Sequence, residues 1–351
     1  VISQPDIGKS PRVPLFSVII LNWNGRALLE ECIDSVLGQT IDDYETVIAD
    51  NGSTDGSVDY VRERYGDRVR IIALPDNRGY VGAYNVAIPQ TRGEWVILLN
   101  NDTRVETDWL EACAEAVRNH PEAGMFTPKI LEYDHPDVID NTGHVMYADG
   151  MSRGRSRLEK DDGRFDADEE VFYPSGCAGV YNRKMLERIG LFDERFFAFG
   201  EDTDLGLRGR VAGYPCWFVA KAKLYHKYSA TWGKYSPGKV FFVERNRFWI
   251  LLKYFPVREI LLSPAFTMWR YIAHFRGILK KQGATYRFTE STSSWKLFFT
   301  VLKAEFSALA GLPHILSDRY RFRKTRVLSG AAFRDQLRRF AMTAEEVALK
   351  D

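Results

Sequence analysis

The chain has 351 residues, of which 45% are hydrophobic, enough for one large core or two smaller ones. The net charge of +1 hides an asymmetry: Lys221 to the C-terminus holds 25 Lys and Arg against 9 Asp and Glu, while the residues before it hold 23 against 38. Such a split suggests an acidic or metal-binding half beside a half that meets anions, while scattered cysteines (Cys32, Cys113, Cys177, Cys216) with no CxxC pair argue against a zinc site or a disulfide framework and fit reduced thiols.

Residues 1–14 contain three prolines and little apolar periodicity, and read as a loose N-terminal arm. Ser17–Leu21 is a β-branched apolar run expected as a buried parallel strand, closed by the turn Asn22-Trp23-Asn24-Gly25. Leu28 to Leu37 repeat at helical spacing. Thr46–Ala49 predicts a second strand, closed by Asp50-Asn51-Gly52-Ser53-Thr54-Asp55-Gly56, and a helix runs to about Tyr65. Arg70–Leu74 predicts a third strand; after Pro75-Asp76-Asn77-Arg78-Gly79 a helix through Asn85 leads to a fourth strand, Trp95–Leu99. Strands alternating with helices predict a mostly parallel sheet with helices on both faces. Ligands of such sheets sit beyond the carboxyl ends of the strands, where Asn22–Gly25, Asp50–Asp55 and Asn100–Asp102 gather.

Residues 134–170 are polar and weakly periodic and predict a surface excursion or a mobile loop; order resumes from Tyr173 to about Tyr228. Beyond Lys239 the segments Phe241–Phe255, Glu259–Lys281, Ser294–Ala310 and Ala331–Leu349 are helix-like, aromatic and basic. Nothing approaches the ~18–20 apolar residues of a membrane span, and the N-terminus lacks a basic-then-apolar pattern, so the expectation is a protein that is not integral.

Asp102, at the end of the fourth strand, can hold a hard divalent cation, or simply cap the next helix. Asp50 can accept the imide N–H of uracil or thymine, and equally suits a turn. Gly79 and Gly82 permit close approach of backbone to a ligand, or tight packing. Glu201-Asp202-Thr203-Asp204 places three acids within four residues; mutual repulsion raises at least one pKa, which suits a general base, whereas Asp204 also suits an acidic first helical turn. Asp193 reads as a turn cap. His226 follows a strand and reads as a ligand or a structural histidine.

Together these residues resemble glycosyltransferase family 2, which are inverting enzymes of the GT-A fold. The resemblance spans about residues 15–230: the Ser17–Gly25 opening, the nucleobase loop Asp50–Asp55, the donor helix Asn77-Arg78-Gly79 through Asn85, Asn100-Asn101-Asp102 at the DXD position, Ser175–Gly179 on the acceptor side, and the acidic pair Glu201-Asp202. It is similar above all to bacterial rhamnosyltransferase-like members of cell-surface polysaccharide assembly. Two positions depart: the first Asp of DXD is Asn100, and the Arg that often precedes the donor-helix Asn is Tyr84.

The resemblance implies a GT-A (Rossmann-like) catalytic domain over 15–238; beyond it, aromatic residues beside many Lys and Arg predict a helical C-terminal region over 239–351 for membrane association or oligomerisation. It implies a pyrimidine nucleoside diphosphate sugar, dTDP-L-rhamnose first and a UDP-hexose or galactofuranose donor as the alternative. Donor contacts fall to Asn22, Asn24, Asp50, Asn51, Arg78, Gly79, Asn85, Asn100, Asn101 and Asp102, and acceptor contacts to Gly176, Cys177 and Glu201. Asp102 and His226 hold Mg2+ or Mn2+, Asp202 is the general base, and Glu201 orients the acceptor. Expected partners are a saccharide or lipid-linked acceptor, the inner membrane leaflet and a second copy of the chain, without nucleic acid; the expected place is the cytoplasm, peripheral on the membrane's cytoplasmic face. A glycoside hydrolase, a sugar nucleotidyltransferase and a non-catalytic membrane-bound scaffold are the rival readings.

Overall fold

A computed structural model describes residues 13–227, 236–283, 286–287 and 293–349. The expected N-terminal arm therefore lies outside the described residues, apart from its last two. The first four strands are β1 (Phe16–Asn22), β2 (Tyr44–Asp50), β3 (Arg70–Ala73) and β4 (Trp95–Asn100), separated by α1 (Arg26–Leu37), α2 (Ser57–Tyr65) and α3 (Gly79–Ala87). They pair in parallel in the order β3-β2-β1-β4. The apolar run of β1 shows why it sits in the middle: Phe16, Val18 and Ile20 enter one core layer with Leu29, Ile33 and Trp109, while Ile19 enters the other with Val81, Tyr84 and Leu186. Each fully buried side chain of this size contributes about 1.5–3 kcal/mol.

The sheet continues through β5 (Thr103–Val105), β6 (Met125–Glu132), β10 (Glu169–Val171), β11 (Ala178–Asn182) and β12 (Cys216–His226), with α4 (Trp109–Asn119), α5 (Arg183–Ile189) and α6 (Glu201–Val211) around it. Its strand order is β10-β12-β6-β11-β4-β1-β2-β3. Here the expectation of a mostly parallel sheet needs refinement: β6 and β12 are parallel to one another, but β11 is antiparallel to both β4 and β6, giving a mixed α/β sheet. The reversal carries the loop before β11 to the same sheet edge as the ends of β1, β2 and β4.

The stretch 134–170 is a surface excursion only in its later part, where Asp162–Arg164 and Asp166–Asp168 are exposed; its earlier part is folded into the molecule. It forms β7 (Ile139–Asn141), paired with β6, and the hairpin of β8 (His144–Met146) with β9 (Ser152–Gly154). Ile139, Asp140, Thr142 and Asp149 within it are buried. Strands of three residues are too short to display a period, and burial of acids in ion pairs rather than of apolar groups removed the usual pattern.

The C-terminal helices are α7 (Pro237–Tyr254), α8 (Val257–Leu279), α9 (Ser294–Ala310), α10 (Leu312–Phe322), α11 (Gly330–Arg339) and α12 (Ala344–Leu349). Trp249, Ile250, Tyr254 and Phe255 of the α7 region share a core with Phe172, Tyr173, Phe196 and Leu207. Pro264 inside α8 lacks the N–H that would reach Ile260, and the Ser263 hydroxyl donates to that carbonyl at 2.8 Å instead. Among the described residues no helix is long and apolar enough to cross a membrane. The four cysteines are all buried and unpaired as disulfides.

Candidate active site at the carboxyl edge of the sheet

The register sets Asn22 beside Asp50, and Leu21 beside Asn100. Asn22 Nδ2 donates to Asp50 Oδ1 at 2.9 Å and to Ser53 Oγ at 3.1 Å, and Asn101 Nδ2 donates to Asn22 Oδ1 at 2.8 Å. The backbone N–H of Ser53 donates to Asp50 Oδ2 at 3.0 Å. Asp50 is thus buried, with one bond to each carboxylate oxygen and a lone pair on each to spare. Asn24, at φ 49°, accepts from Thr54 N at 2.8 Å. Asn51 bridges to the third loop, donating to Asn77 Oδ1 at 2.8 Å and accepting from Arg78 N at 2.8 Å. Gly52 has φ 74°, and a Cβ there would meet the Asp76 carbonyl carbon at 2.7 Å, so only glycine lets these loops close. Asn22, Asn24, Asp50, Asn51, Arg78, Gly79 and Asn101 are therefore brought together on one edge, with the Arg78 side chain half exposed.

The amide of Asn85, expected among the donor contacts, is taken up by the segment before α6. It donates to Phe192 O at 3.0 Å and Glu194 Oε1 at 3.1 Å, and accepts from Phe192 N at 3.0 Å, so it pins α3 to the turn before α6. Tyr84 fills the underside of β4, its hydroxyl donating to Leu99 O at 3.2 Å.

Asp102 Oδ1 is buried, has no well-directed hydrogen bond, and lies 3.3 Å from His226 Nε2. The ladder between β5 and β12 sets this pair, because it places His226 opposite Thr103. His226 Nδ1 lies 2.7 Å from Asp140 Oδ2, and Arg157 pairs with the other oxygen of Asp140. Burial works against a charged His226, but Cys177 and Asp102 outweigh it and hold its pKa up at about 10. An orphaned carboxylate oxygen facing an imidazole whose far nitrogen rests on a second carboxylate fits a divalent cation once the cation displaces the proton that His226 holds against Asp102. Among the described residues no group of three or more His, Cys, Asp or Glu is so arranged.

Across the same edge lies the start of α6. Phe197 (φ 60°), Phe199 (φ 61°) and Gly200 (φ 100°) turn the chain into it. Asp202 Oδ1 accepts from Thr203 N at 2.6 Å, and Oδ2 accepts from Gly176 N at 3.2 Å. Glu201 Oε2 is buried without a hydrogen bond; burial first, then the Asp202 charge, push the Glu201 carboxyl up to about 8. Asp204 is taken by Arg208 (2.9 Å), Lys253 (2.5 Å) and the Tyr254 hydroxyl (2.7 Å), and Asp193 caps a turn and binds Arg195 and Lys253. Both are fully engaged, which leaves Glu201 and Asp202 for chemistry.

The Ser175–Cys177 loop joins the two centres. Gly176 meets Asp202, and the Tyr80 hydroxyl donates to Gly176 O at 2.5 Å; Cys177 O accepts from Asn100 N at 3.0 Å. Two neighbours were missed in the sequence. Asp140 and His144 both lie in the segment read as an excursion; His144 Nε2 lies 3.9 Å from Asp202 Oδ2, its ring stacked on Tyr173, and burial lowers its pKa. The sole signal available was two chemistry-bearing side chains inside a Gly- and Asp-rich tract.

Loops gathered on one sheet edge, with a carboxylate–imidazole pair and an acidic pair beside them on this sheet order, form the arrangement of a GT-A glycosyltransferase. Residues 17–190 match glycosyl transferase family 2, and the chain belongs to that family. It is 29% identical over 236 residues to an N-acetylglucosaminyl-diphospho-decaprenol L-rhamnosyltransferase of Mycobacterium tuberculosis, covering 61% of this chain and 76% of that protein. Its fold is similar to that of S. aureus TarS 1–349 (TM-score 0.54, 17% identity, 94% of this chain and 90% of that one). It is also similar to GalNAc-T7 solved with UDP, GalNAc and Mn2+ (TM-score 0.57, 16% identity), where it covers 71% of this chain but spans only 49% of the other.

Proposed function

We propose that the chain moves a sugar from a pyrimidine nucleoside diphosphate sugar to a hydroxyl of a saccharide or lipid-linked saccharide, inverting the anomeric carbon, in cell-surface polysaccharide synthesis. The observation that carries this reading is the placement of Asp102–His226 and Glu201–Asp202 on either side of the Ser175–Cys177 loop. The first pair suits a leaving diphosphate, the second an attacking hydroxyl.

In this reading Asp50 uses a spare lone pair to accept the N–H of the base, and Arg78 meets the diphosphate. Asp102 and His226 hold Mg2+ or Mn2+, which when bound supplies Lewis-acid stabilisation of charge on the diphosphate. The acceptor oxygen attacks the anomeric carbon, its proton passes to Asp202, and the bond to the diphosphate breaks on the opposite face. Glu201, protonated below about pH 8, donates a hydrogen bond that orients the acceptor. His144 closes the wall behind Asp202. A glycoside hydrolase would need an activated water between its acids and has no use for the knitted loops at Asn22, Asp50 and Asn77.

The rhamnosyltransferase relative supports dTDP-L-rhamnose as the donor, with UDP-hexose or galactofuranose donors as the alternative. The place of action is the cytoplasmic face of the membrane, peripherally, where a lipid-linked acceptor is presented. A thermal-shift panel of nucleotide sugars with Mn2+ tests the donor: a ligand at about 100 times its Kd adds ~2.7 kcal/mol of apparent stability. dTDP-L-rhamnose should raise Tm most, and Asp50→Ala should abolish the shift. A response to purine nucleotide sugars alone would overturn the reading of the base.

A further inference from the structure

The last third of the chain presents an apolar surface that the fold leaves uncovered. On α8, Leu261, Met268, Ile272, Phe275 and Leu279 are exposed and recur three, four or seven residues apart, the spacing of a single helical face about 27 Å long. The opposite face of α8 holds the buried Ser263, Arg270, Ala273 and Gly277. Arg270 is locked there, bonded to Glu244 of α7 at 2.7 and 2.9 Å and to Asp149 at 2.7 Å. On α9, Trp295, Phe299, Leu302 and Phe306 are exposed, two of them by 70% or more, while Ala304 and Ala308 are buried. The inward face of α9 meets the same helix α7, through Trp249 Nε1 to Ala308 O at 3.1 Å and Arg247 to Glu305 at 3.0 Å. Two helices anchored on α7 thus each turn an ordered row of apolar side chains outward, not singly scattered ones.

Charge selects the occupant. Among the described residues of the two helices and the short stretch after α8, the exposed charges are Arg258, Arg276, Lys280, Lys281, Lys296 and Lys303. The acids in the same helices are turned inward: Glu259 toward Arg334, and Glu305 onto Arg247. An apolar face whose exposed charges, among the described residues of its two helices, are all cationic matches an anionic lipid leaflet. A twofold dimer through this face would set the cationic rim against itself. We infer that the exposed faces of α8 and α9 form one docking surface that lies in the headgroup and upper acyl layer of an anionic bilayer. Arg270, held by two buried acids, keeps α8 on the surface instead of across it. The inference rests on the peripheral membrane location proposed above and gives it a surface; that surface shares no residue with the catalytic centre, so vesicle binding and transfer can fail separately.

The test is co-sedimentation of the full chain with phosphatidylcholine vesicles, alone and with phosphatidylglycerol. Binding should require phosphatidylglycerol and weaken as salt is raised from 50 to about 500 mM, because each basic residue near an anionic leaflet adds about fivefold. Met268→Asp with Phe275→Asp, and separately Phe299→Asp with Phe306→Asp, should each lower vesicle affinity at least about tenfold at unchanged Tm, since these side chains support no core. Lys280→Glu with Lys281→Glu should reduce binding to anionic vesicles only. Wild-type-like binding by both aspartate pairs overturns the assignment. So does failure of the wild type to bind at low salt; if it then sediments as a dimer that the same substitutions dissociate, the face belongs to a second copy.

Discussion

Asp202 and Glu201 are adjacent in sequence, yet their surroundings assign them different work. Asp202 is positioned by the N–H groups of Gly176 and Thr203 and sits beside His144. Glu201 has a buried oxygen with no hydrogen bond and a pKa pushed up to about 8. Asp202→Asn should therefore lower kcat by roughly 10²–10⁴-fold, the usual effect of losing a general base, with little change in donor affinity. Near-normal kcat, or a loss of donor binding in proportion to activity, would count against the assignment. Glu201 carries a stability signature as well. Between its ordinary value of 4.5 and about 8 the folded chain keeps a proton here that the unfolded chain has released, so stability falls as pH rises through that window. Glu201→Gln removes the effect and should stabilise the fold relative to the wild type progressively from about pH 5 to pH 8, by up to a few kcal/mol and with a matching rise in Tm, while acceptor KM rises. A Tm difference that is flat with pH would show that Glu201 is not protonated in the fold. Both acids were legible in the sequence because three acids in four residues is an unusual density. The partners Asp140 and His144 were not, since nothing local ties residues 140–144 to residues 202 and 226; only the β6–β7 pairing and the chain return through β8 bring them there.

At the scale of elements, the parallel half of the sheet was readable because each strand is a short β-branched run ending in a polar turn, and β1 to β4 fall within two residues of the positions expected. The insertion of β11 antiparallel between β4 and β6 was not, because strand direction is a property of connections and leaves no mark on the five residues Ala178–Asn182. Helix α7 shows a further element-level dependence. Asn246 Nδ2 donates to the carbonyls of Phe196 (3.0 Å), Ala198 (2.9 Å) and Phe199 (2.6 Å), and its Cβ stands 3.4 Å from where a Cβ on Gly200 would be. It clamps the left-handed turn that aims Glu201 and Asp202. Asn246→Ala leaves buried carbonyls without a donor and should lower stability by about 1–3 kcal/mol. At temperatures where the variant remains folded, kcat should fall while the donor-induced thermal shift is kept. Loss of the donor shift together with kcat would instead mean general unfolding of the site.

Across the whole molecule, the sequence suggested a boundary near residue 239, where the composition turns basic and aromatic. The structure packs the residues beyond it into the rest: Lys253 is buried against Asp193 and Asp204, and Trp249 and Phe255 share a core with Phe172 and Phe196. Ending the chain at residue 238 should therefore strip the support from α6 and give an unstable, inactive product, which a cooperative melt at wild-type Tm would refute.

The central claim, metal-assisted transfer by Asp202 from a nucleoside diphosphate sugar bound over the sheet edge, is tested most directly by measuring free nucleoside diphosphate released by the full chain. Release should need a divalent cation, rise with added acceptor saccharide, and be lost in Asp102→Ala and Asp202→Asn, with His226→Ala weakening the metal dependence of donor binding more than it weakens folding. Full release in excess EDTA would contradict the role of Asp102 and His226, and release that ignores both the acceptor and Asp202→Asn would contradict the transfer itself.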